Sequence, residues 1–577
     1  MPPVFTHSAP EHPLTPTMLS MHSLARWFPF LNWPKPTLTL LRGEFWAGLT
    51  VGLMLLPQGV AYAALAGMPL ITGIYASIIP AAVAILFSPS PRLGVGPTAL
   101  SALLIGASLM GMAEPGSARW VALAAWMAIL SGLVQAGLGM VKAGWLLNLV
   151  TSPVLAGFTQ AAALLILASQ LPTLLGMRAD WSTLWHSPSI YLFDWSSVAY
   201  GLASMALLML AKKWRPAFPS AIFIIALTGL VSWATGFADA GGAVVGHLPA
   251  GLPHFQWPGL LGWEQFGSLV MPVLVISLVS FLETASSAQV EHQQAGTRWN
   301  ENQDLIAQGL SKISAGLFGS FATSASFSRS AVNLLAGAKT GYANVFSILL
   351  VIAVVLWFIP WLYHVPQSAL AAIVITAVLN LIKPRQILGL FKISRVEASI
   401  SVTTLALTIL TAPRMYWGVF AGIALTQAYF IYQHLHPRII EVGLHPDGSL
   451  RSRKIWQLPP LAPKVMALRM DADLDFATAS ALERYATEAM QQNPACTDMA
   501  LLMESINSID VTGVETFARL ERMVALRGGT LHVVGLKLPA EQRLQRAGLL
   551  KREGSSIALY RTSMEFLNQL SKPTQSA

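Results

Sequence analysis

The chain has 577 residues, of which 54% are hydrophobic and 11% are charged. Soluble domains carry about 25% charged residues, so this composition excludes an ordinary soluble protein. The net charge of +9 does not indicate a nucleic-acid-binding protein, because the basic residues lie in short segments between apolar runs. The single cysteine excludes an internal disulfide and a multi-cysteine metal site.

Composition divides the chain into regions. Residues 1–43 are rich in Pro and His and lack the cleavage pattern of a secretory signal, so we expect a cytoplasmic N-terminal segment. Long apolar runs fill residues 44–437, which we expect to form a transmembrane domain. Charged residues become frequent in the last fifth, which predicts a linker at 438–460 and a soluble domain at 461–571.

The apolar runs predict a polytopic α-helical membrane protein. A helix needs about 20 residues to cross roughly 30 Å of hydrocarbon, and on this criterion we count about fourteen transmembrane helices. Several runs are short, and the pair around 304–338 is interrupted by polar residues.

Basic residues are distributed unequally between alternate loops. The set with few basic residues contains Arg119, Arg178 and Arg414. Because cytoplasmic loops carry the excess of Lys and Arg, we expect both termini in the cytoplasm, an even number of helices and a location in the inner, cytoplasmic membrane. The rich set contains Arg26, Lys35, Arg42, Arg92, Lys142, Lys212, Lys213, Arg215, Arg298, Lys339, Lys383, Arg385, Lys392, Arg395 and Arg438.

Two segments interrupt the apolar pattern at matching places. PRLGVGPTALSALL, residues 91–104, has two glycines before a proline suited to the first helical position. FATSASFSRSAVN, residues 321–333, has three serines that are good helix caps. Interrupted segments at corresponding points indicate inverted repeats, here 44–239 and 264–437 with seven helices each.

A helix that begins within the membrane directs free N–H groups and a partial positive charge at its N-terminus. Two such ends facing each other would form an electropositive pocket, and Arg329 lies in the first turn of the second one. We therefore expect the site to hold an anion. The alternative is a structural Arg329 paired with Glu283, and both roles are compatible.

Further polar residues lie within the apolar runs. Gln58 and Tyr62 are four residues apart and so share a helix face, although each taken alone is more typical of helix packing than of ligand binding. Glu283 is the only carboxylate in its run and could take up and release a proton, or remain an ionised partner of Arg329 or Lys312. For Lys312 we favour a side chain that extends to the cytoplasmic face.

The C-terminal region shows strands alternating with helices, which predicts a small α/β domain. Strands are expected at 464–470, 498–505 and 530–537, with helices at 511–526 and 539–550 among those between and after them. The chain shows no catalytic triad, Walker-type loop or metal-ligand spacing. We therefore expect no enzyme activity, no cofactor and no metal site.

Three motifs carry a family resemblance. The stretch from LPQGVAYAALAG to PRLGVGPTALSALL and the later SFSRSAVNLLAGAKTGYAN resemble motifs of the SulP family of anion transporters. NSIDVTGVETF resembles the turn of a STAS domain. The resemblance covers about residues 36–570. It implies fourteen helices in a core domain (the first four of each repeat) and a gate domain, an elevator movement, a homodimer and a cytoplasmic STAS domain.

The resemblance also implies roles for individual residues. Glu283 matches the acidic position that bears on proton or cation coupling, and Thr512 matches a phosphorylatable position of STAS domains. Thr512 could instead cap the helix that follows it. The residues implied to bind substrate are Gln58, Tyr62, Thr98, Phe327, Ser328 and Arg329.

These observations predict a secondary active transporter of a small oxyanion, with proton-coupled sulfate uptake first. Proton- or sodium-coupled transport of bicarbonate or a C4-dicarboxylate, and an uncoupled anion exchanger or channel, are the alternatives. A third hypothesis is a scaffold whose STAS domain recruits a cytoplasmic partner, such as acyl carrier protein or a carbonic anhydrase.

Overall fold

A computed structural model describes residues 25, 27–177, 193–214, 220–249, 251–550 and 555–571. The chain forms two compact units, Met1–Thr426 and Gln427–Ala577. Most of the predicted N-terminal segment lies outside the described residues, as do Arg26, Arg178 and Arg215.

The described residues in the first half of unit 1 form mainly helices. Apart from β1, introduced below, its elements are α1 (Leu38–Leu65), α2 (Ile71–Tyr75), α3 (Ile79–Phe87), α4 (Ala99–Leu109), α5 (Ala118–Met140), α6 (Ser152–Leu174), α7 (Trp195–Trp214) and α8 (Ser220–Ala234).

The second half continues in the same way. Its helices are α9 (Trp263–Ala295), α10 (Glu301–Leu317), α11 (Phe327–Leu335), α12 (Tyr342–Trp357), α13 (Gln367–Val378), α14 (Pro384–Ile393), α15 (Arg395–Leu410) and α16 (Tyr416–Leu435). In the described ranges α1, α5, α6 and α9 are long and apolar enough to span a bilayer by length and composition, and shorter apolar helices accompany them.

The two segments predicted to break the helical pattern do break it. Each forms a two-residue strand, β1 (Val95–Gly96) and β2 (Ser324–Ala325), and the strands pair antiparallel. A short helix follows each strand, α4 after β1 and α11 after β2. Because the strands are antiparallel, the N-termini of α4 and α11 meet at this ladder.

Glycines allow helices from the two halves to approach closely. A Cβ atom on Gly309 of α10 would lie 2.6 Å from the carbonyl oxygen of Gly132 on α5, and one on Gly316 would lie 2.5 Å from that of Ala125. Small residues at helix contacts are typical of membrane proteins, in which close packing replaces the hydrophobic effect. Contacts of this kind hold α5 against α10.

Unit 2 is built on a six-stranded sheet in the order β4-β3-β5-β6-β7-β8. The four strands from β5 to β8 are parallel, and β3 is antiparallel to β5. The strands are β3 (Ile439–Leu444), β4 (Leu450–Ser452), β5 (Val465–Met470), β6 (Asp498–Leu502), β7 (Leu531–Val534) and β8 (Ile557–Tyr560).

Helices cover both faces of this sheet. Leu482, Phe517 and Leu544, from three of the helices, pack in one buried cluster, and Phe566, from a fourth helix, packs in another with Val442. The helices of this unit, after the end of α16, are α17 (Arg453–Trp456), α18 (Ala479–Gln492), α19 (Val511–Ala525), α20 (Leu538–Arg546) and α21 (Ser563–Leu570).

The segment 438–460 contains two strands of the sheet, which differs from the linker predicted there. Ile439–Leu444 pairs with both neighbouring strands, and Val442 is buried in the core. The turn between β3 and β4 contains Pro, Asp and Gly, which is a hairpin signal between two short strands. We predicted a linker here because the charged residues of this segment hide the hydrophobic pattern of its two short strands. Strand β8 and helix α21 also lie beyond the predicted elements.

Candidate functional site

Arg329 joins the two broken segments. Its side chain is fully buried, and its guanidinium donates hydrogen bonds to the carbonyl oxygen of Pro97 at 2.9 Å and to Gln58 Oε1 at 3.3 Å. A longer bond of 3.4 Å reaches the carbonyl oxygen of Gly94. The Nε atom is buried and has no hydrogen-bond partner among the described residues. A cation therefore lies beside the N-termini of α4 and α11, bonded to neutral acceptors.

Gly94 makes this arrangement sterically feasible. A Cβ atom at this position would lie 2.7 Å from the Cβ atom of Arg329, closer than side-chain atoms can approach. The backbone of Gly94 also accepts a hydrogen bond from Ser326 N and donates one to Ser330 Oγ, both at 3.0 Å. The glycine thus allows α11 to pack against the segment that leads into α4.

Gln58 and Tyr62 reach the junction from α1. The Gln58 amide oxygen accepts from Arg329, so its NH2 group faces another direction and remains a donor. Tyr62 is buried one turn further along the same helix. The shared helix face predicted for Gln58 and Tyr62 therefore faces the junction.

Thr98 and Glu283 form a second contact at the junction. Thr98 is the N-cap of α4, where its Oγ1 accepts from Ser101 N at 3.4 Å. The same hydroxyl donates to Glu283 Oε2 at 3.0 Å. In the part of the chain that the structure describes, Arg329 and Glu283 form no ion pair; each bonds to neutral groups instead.

Phe327 and Ser328 are the accessible members of the predicted set. Phe327 is 55% exposed and Ser328 is also exposed, whereas Arg329, the next residue, is fully buried. Ser328 Oγ lies 3.1 Å from Ser326 Oγ. The first turn of α11 therefore presents one open side and one side that is closed against the protein.

We expected the Lys312 side chain to extend to the cytoplasmic face, but it does not. It is fully buried on α10, and its Nζ donates to Gln135 Oε1 at 2.6 Å and to Ser280 Oγ at 2.7 Å. The expectation was wrong because Gln135 on α5 and Ser280 on α9 together offer acceptors inside the helix bundle. Neither residue stands out in the sequence.

Glu44 and Asp304 are buried carboxylates that accept hydrogen bonds from distant parts of the chain, a role that we did not predict for them. Glu44 accepts from the backbone N–H groups of Lys339, Thr340 and Ala343, so it caps the start of α12 from a distant helix. The only signal in the sequence was a carboxylate at the start of an apolar run.

Asp304 is the second such carboxylate. It accepts from Ser88 Oγ, Ser90 Oγ and Trp299 Nε1 at 2.5–2.6 Å and joins the end of α3 to the start of α10. No group of three or more His, Cys, Asp or Glu residues in the described ranges could hold a metal ion.

In unit 2, Asp510 rather than Thr512 caps α19. The Asp510 Oδ1 atom accepts from Gly513 N at 2.8 Å, and Oδ2 accepts from Phe476 N at 2.8 Å. Thr512 is the second residue of the helix and is partly exposed. The capping role considered for Thr512 is therefore wrong.

Comparison with known proteins gives the family. The sequence model of the sulfate permease family matches residues 41–404, and that of the STAS domain matches residues 460–565. A "Probable sulfate transporter" of Mycobacterium tuberculosis is 31% identical over 526 residues, covering 89% of this chain and 92% of that protein. "Sulfate transporter 4.1, chloroplastic" of Arabidopsis thaliana is 28% identical, covering 92% and 79%.

Solved structures show the same fold. The murine anion transporter Slc26a9 in its inward-facing state superimposes with a TM-score of 0.83 at 17% identity, covering 98% of this chain and 96% of that one. The transmembrane domain of the cyanobacterial bicarbonate transporter BicA gives 0.58 at 21% identity, covering 67% and 98%. The chain is a multi-pass membrane protein that belongs to the sulfate permease family and carries a C-terminal STAS domain.

Proposed function

We propose that the chain takes up sulfate across the inner membrane by secondary active transport, coupled to protons. Anion transport is supported by membership of the sulfate permease family and by relatives that are named sulfate transporters. We also propose that the protein acts as a homodimer. Both termini lie in the cytoplasm in this proposal, which agrees with the distribution of basic residues in its loops.

The observation that carries the proposal is the environment of Arg329. Its guanidinium is buried beside two helix N-termini, and its described hydrogen-bond partners are neutral. A buried charge that forms no ion pair is unfavourable, and helix N-termini add partial positive charge to it. An oxyanion beside α4 and α11 would relieve both effects. The exposed Phe327 and Ser328 provide the open side from which it enters.

Glu283 is the proposed proton-coupling residue. It is partly exposed and accepts a hydrogen bond from Thr98, the cap of α4. Protonation would remove a negative charge from the neighbourhood of Arg329 and so favour anion binding. Proton and sulfate would then bind together and be released together, as symport requires.

Movement of the site is proposed to follow an elevator mechanism. The substrate residues and Glu283 all lie on α1, on α9 or at the starts of α4 and α11, which belong to the proposed core domain. The glycine contacts between α5 and α10 join the two halves of that domain closely. A core that is packed in this way moves against the remaining helices as one body.

Uptake into proteoliposomes tests the proposal. We expect an inward proton gradient to accelerate radioactive sulfate uptake by the wild type, and Glu283→Gln to bind sulfate but to respond no longer to the gradient. Uptake that ignores the gradient in the wild type would contradict proton coupling. Stimulation by sodium alone, or a preference for bicarbonate or a C4-dicarboxylate, would favour the corresponding alternative. Current that follows the Nernst potential of the anion would indicate a channel.

A further inference from the structure

Lys312 is a second buried cation close to the proposed anion site. It is fully buried, and in the described structure its Nζ is hydrogen-bonded only to the neutral groups of Gln135 and Ser280. Lysine is almost never buried without a partner of opposite charge, because removing an ammonium group from water is costly. A charge in this position needs compensation from elsewhere.

The hydrogen bonds around Lys312 indicate an ammonium group. Gln135 Nε2 donates to Ser280 Oγ at 3.0 Å, and the Ser280 hydroxyl donates to the carbonyl oxygen of Ser277 at 3.3 Å. Both oxygens that contact Nζ are therefore acceptors. A neutral amine would leave its lone pair facing no donor among these residues, whereas an ammonium group donates to both.

Glu283 is the candidate for a compensating charge. It lies one helical turn from Ser280 on α9, whose hydroxyl accepts from Lys312 Nζ. It also bonds to Thr98, the residue after Pro97, whose carbonyl oxygen accepts from Arg329. Asp304, two turns away from Lys312 on α10, already accepts from two serines and a tryptophan. Among these described residues, the buried cations are thus Arg329 and Lys312, and Glu283 is the carboxylate that bonds at the junction.

We infer that Lys312 sets the charge of the transported anion: it raises the affinity for dianions relative to monoanions of the same shape. It acts over distance through the electrostatic potential, since its hydrogen bonds go to Gln135 and Ser280. This inference rests on the proposed function. With Glu283 protonated, two fixed positive charges match a dianion such as sulfate, whereas a monoanion would leave one of them uncompensated.

Coulomb's law gives the size of the effect. Removing one positive charge weakens the binding of a dianion twice as much, in free energy, as the binding of a monoanion at the same place. For an anion bound on the order of 12 Å from a removed charge, an effective dielectric constant of about 20 gives a change of the affinity ratio on the order of tenfold.

The test compares sulfate with perchlorate, which is also tetrahedral with four oxygens but carries one charge. Calorimetry on the purified full-length chain gives the two dissociation constants for the wild type, Lys312→Met and Lys312→Arg. The sulfate-to-perchlorate affinity ratio should fall about tenfold in Lys312→Met and stay at the wild-type value in Lys312→Arg. Hydration differences between the anions cancel when the ratio is compared between proteins.

Two further variants complete the test. Lys339→Met removes an exposed cation of the same unit and should leave the ratio unchanged. Lys312→Gln keeps a hydrogen-bond donor without the charge, so it replaces Lys312→Met if the latter does not fold. An unchanged ratio in the uncharged variants overturns the inference alone. A wild type that binds perchlorate but not sulfate overturns the proposed function together with it.

Discussion

The two short helices that meet at the junction are held in place by different forces. Helix α4 buries an apolar surface that includes Leu100, Leu104 and Leu109. Helix α11 buries Arg329, Ser330 and Asn333 and exposes Phe327 and Leu335. The first helix is thus packed as a core element, whereas the second turns its polar side to the protein.

The polar side of α11 is bonded to the chain that leads into α4. Ser330 accepts from Gly94 N, Asn333 donates to the carbonyl oxygen of Arg92, and Arg329 donates to that of Pro97. Corresponding positions in two halves of a chain can therefore be stabilised by apolar burial in one and by hydrogen bonds in the other. Substitutions in the two helices should accordingly have different consequences.

The largest effect is expected for Arg329→Ala. Truncating a buried, hydrogen-bonded charge costs about 2–5 kcal/mol, which corresponds to at least about a 30-fold loss of sulfate affinity by calorimetry. The carbonyl oxygens of Gly94 and Pro97 would also lose their donor. Arg385→Ala, which removes an exposed arginine of the same unit, should bind sulfate as the wild type does. Undiminished affinity in Arg329→Ala would leave Arg329 with a structural role only.

The next effect is expected for Gly94→Ala, which tests how closely the two segments must approach. The added Cβ would lie 2.7 Å from the Cβ of Arg329, so α11 must shift. Overpacking of this kind costs about 1–3 kcal/mol, and sulfate affinity should fall about tenfold as the guanidinium moves. Thermal unfolding and calorimetry measure the two quantities.

Gly137→Ala is the matched control for this prediction. A Cβ atom at Gly137 on α5 would meet no other atom within 4 Å, and alanine has a higher helix propensity than glycine. The control should therefore be as stable as the wild type or more stable. Equal behaviour of the two variants would contradict a sterically demanding junction.

The sequence predicted the two broken segments because glycine and proline in one, and serines in the other, mark the start of a helix within an apolar pattern. It also predicted that Gln58 and Tyr62 share a face, because helix geometry fixes positions four residues apart. It did not predict the partners of Lys312, since Gln135 and Ser280 are brought to it by helices distant in the chain. Polar contacts across helices depend on helix rotation, which local patterns do not encode.

A smaller effect is expected from the caps of the two helices. Thr98 caps α4 and also bonds Glu283, whereas Ser326, which precedes α11, makes no capping hydrogen bond with its side chain in the described structure. Thr98→Val keeps the shape and should cost about 1–2 kcal/mol of stability in thermal unfolding. Ser326→Ala should cost less than about 0.5 kcal/mol. Equal losses would show that the two helix starts are held alike.

The smallest effect concerns a third helix start, in unit 2, where Asp510 and Thr512 can be compared two residues apart. Asp510→Ala removes the bonds to Gly513 N and Phe476 N, so these amides should exchange with deuterium about fivefold to tenfold faster in the full-length chain. Thr512→Ala should leave both rates unchanged, because Asp510 alone supplies the cap. Faster exchange in Thr512→Ala would restore a structural role to that hydroxyl. Unchanged exchange leaves the partly exposed Thr512 available for modification without loss of the helix start.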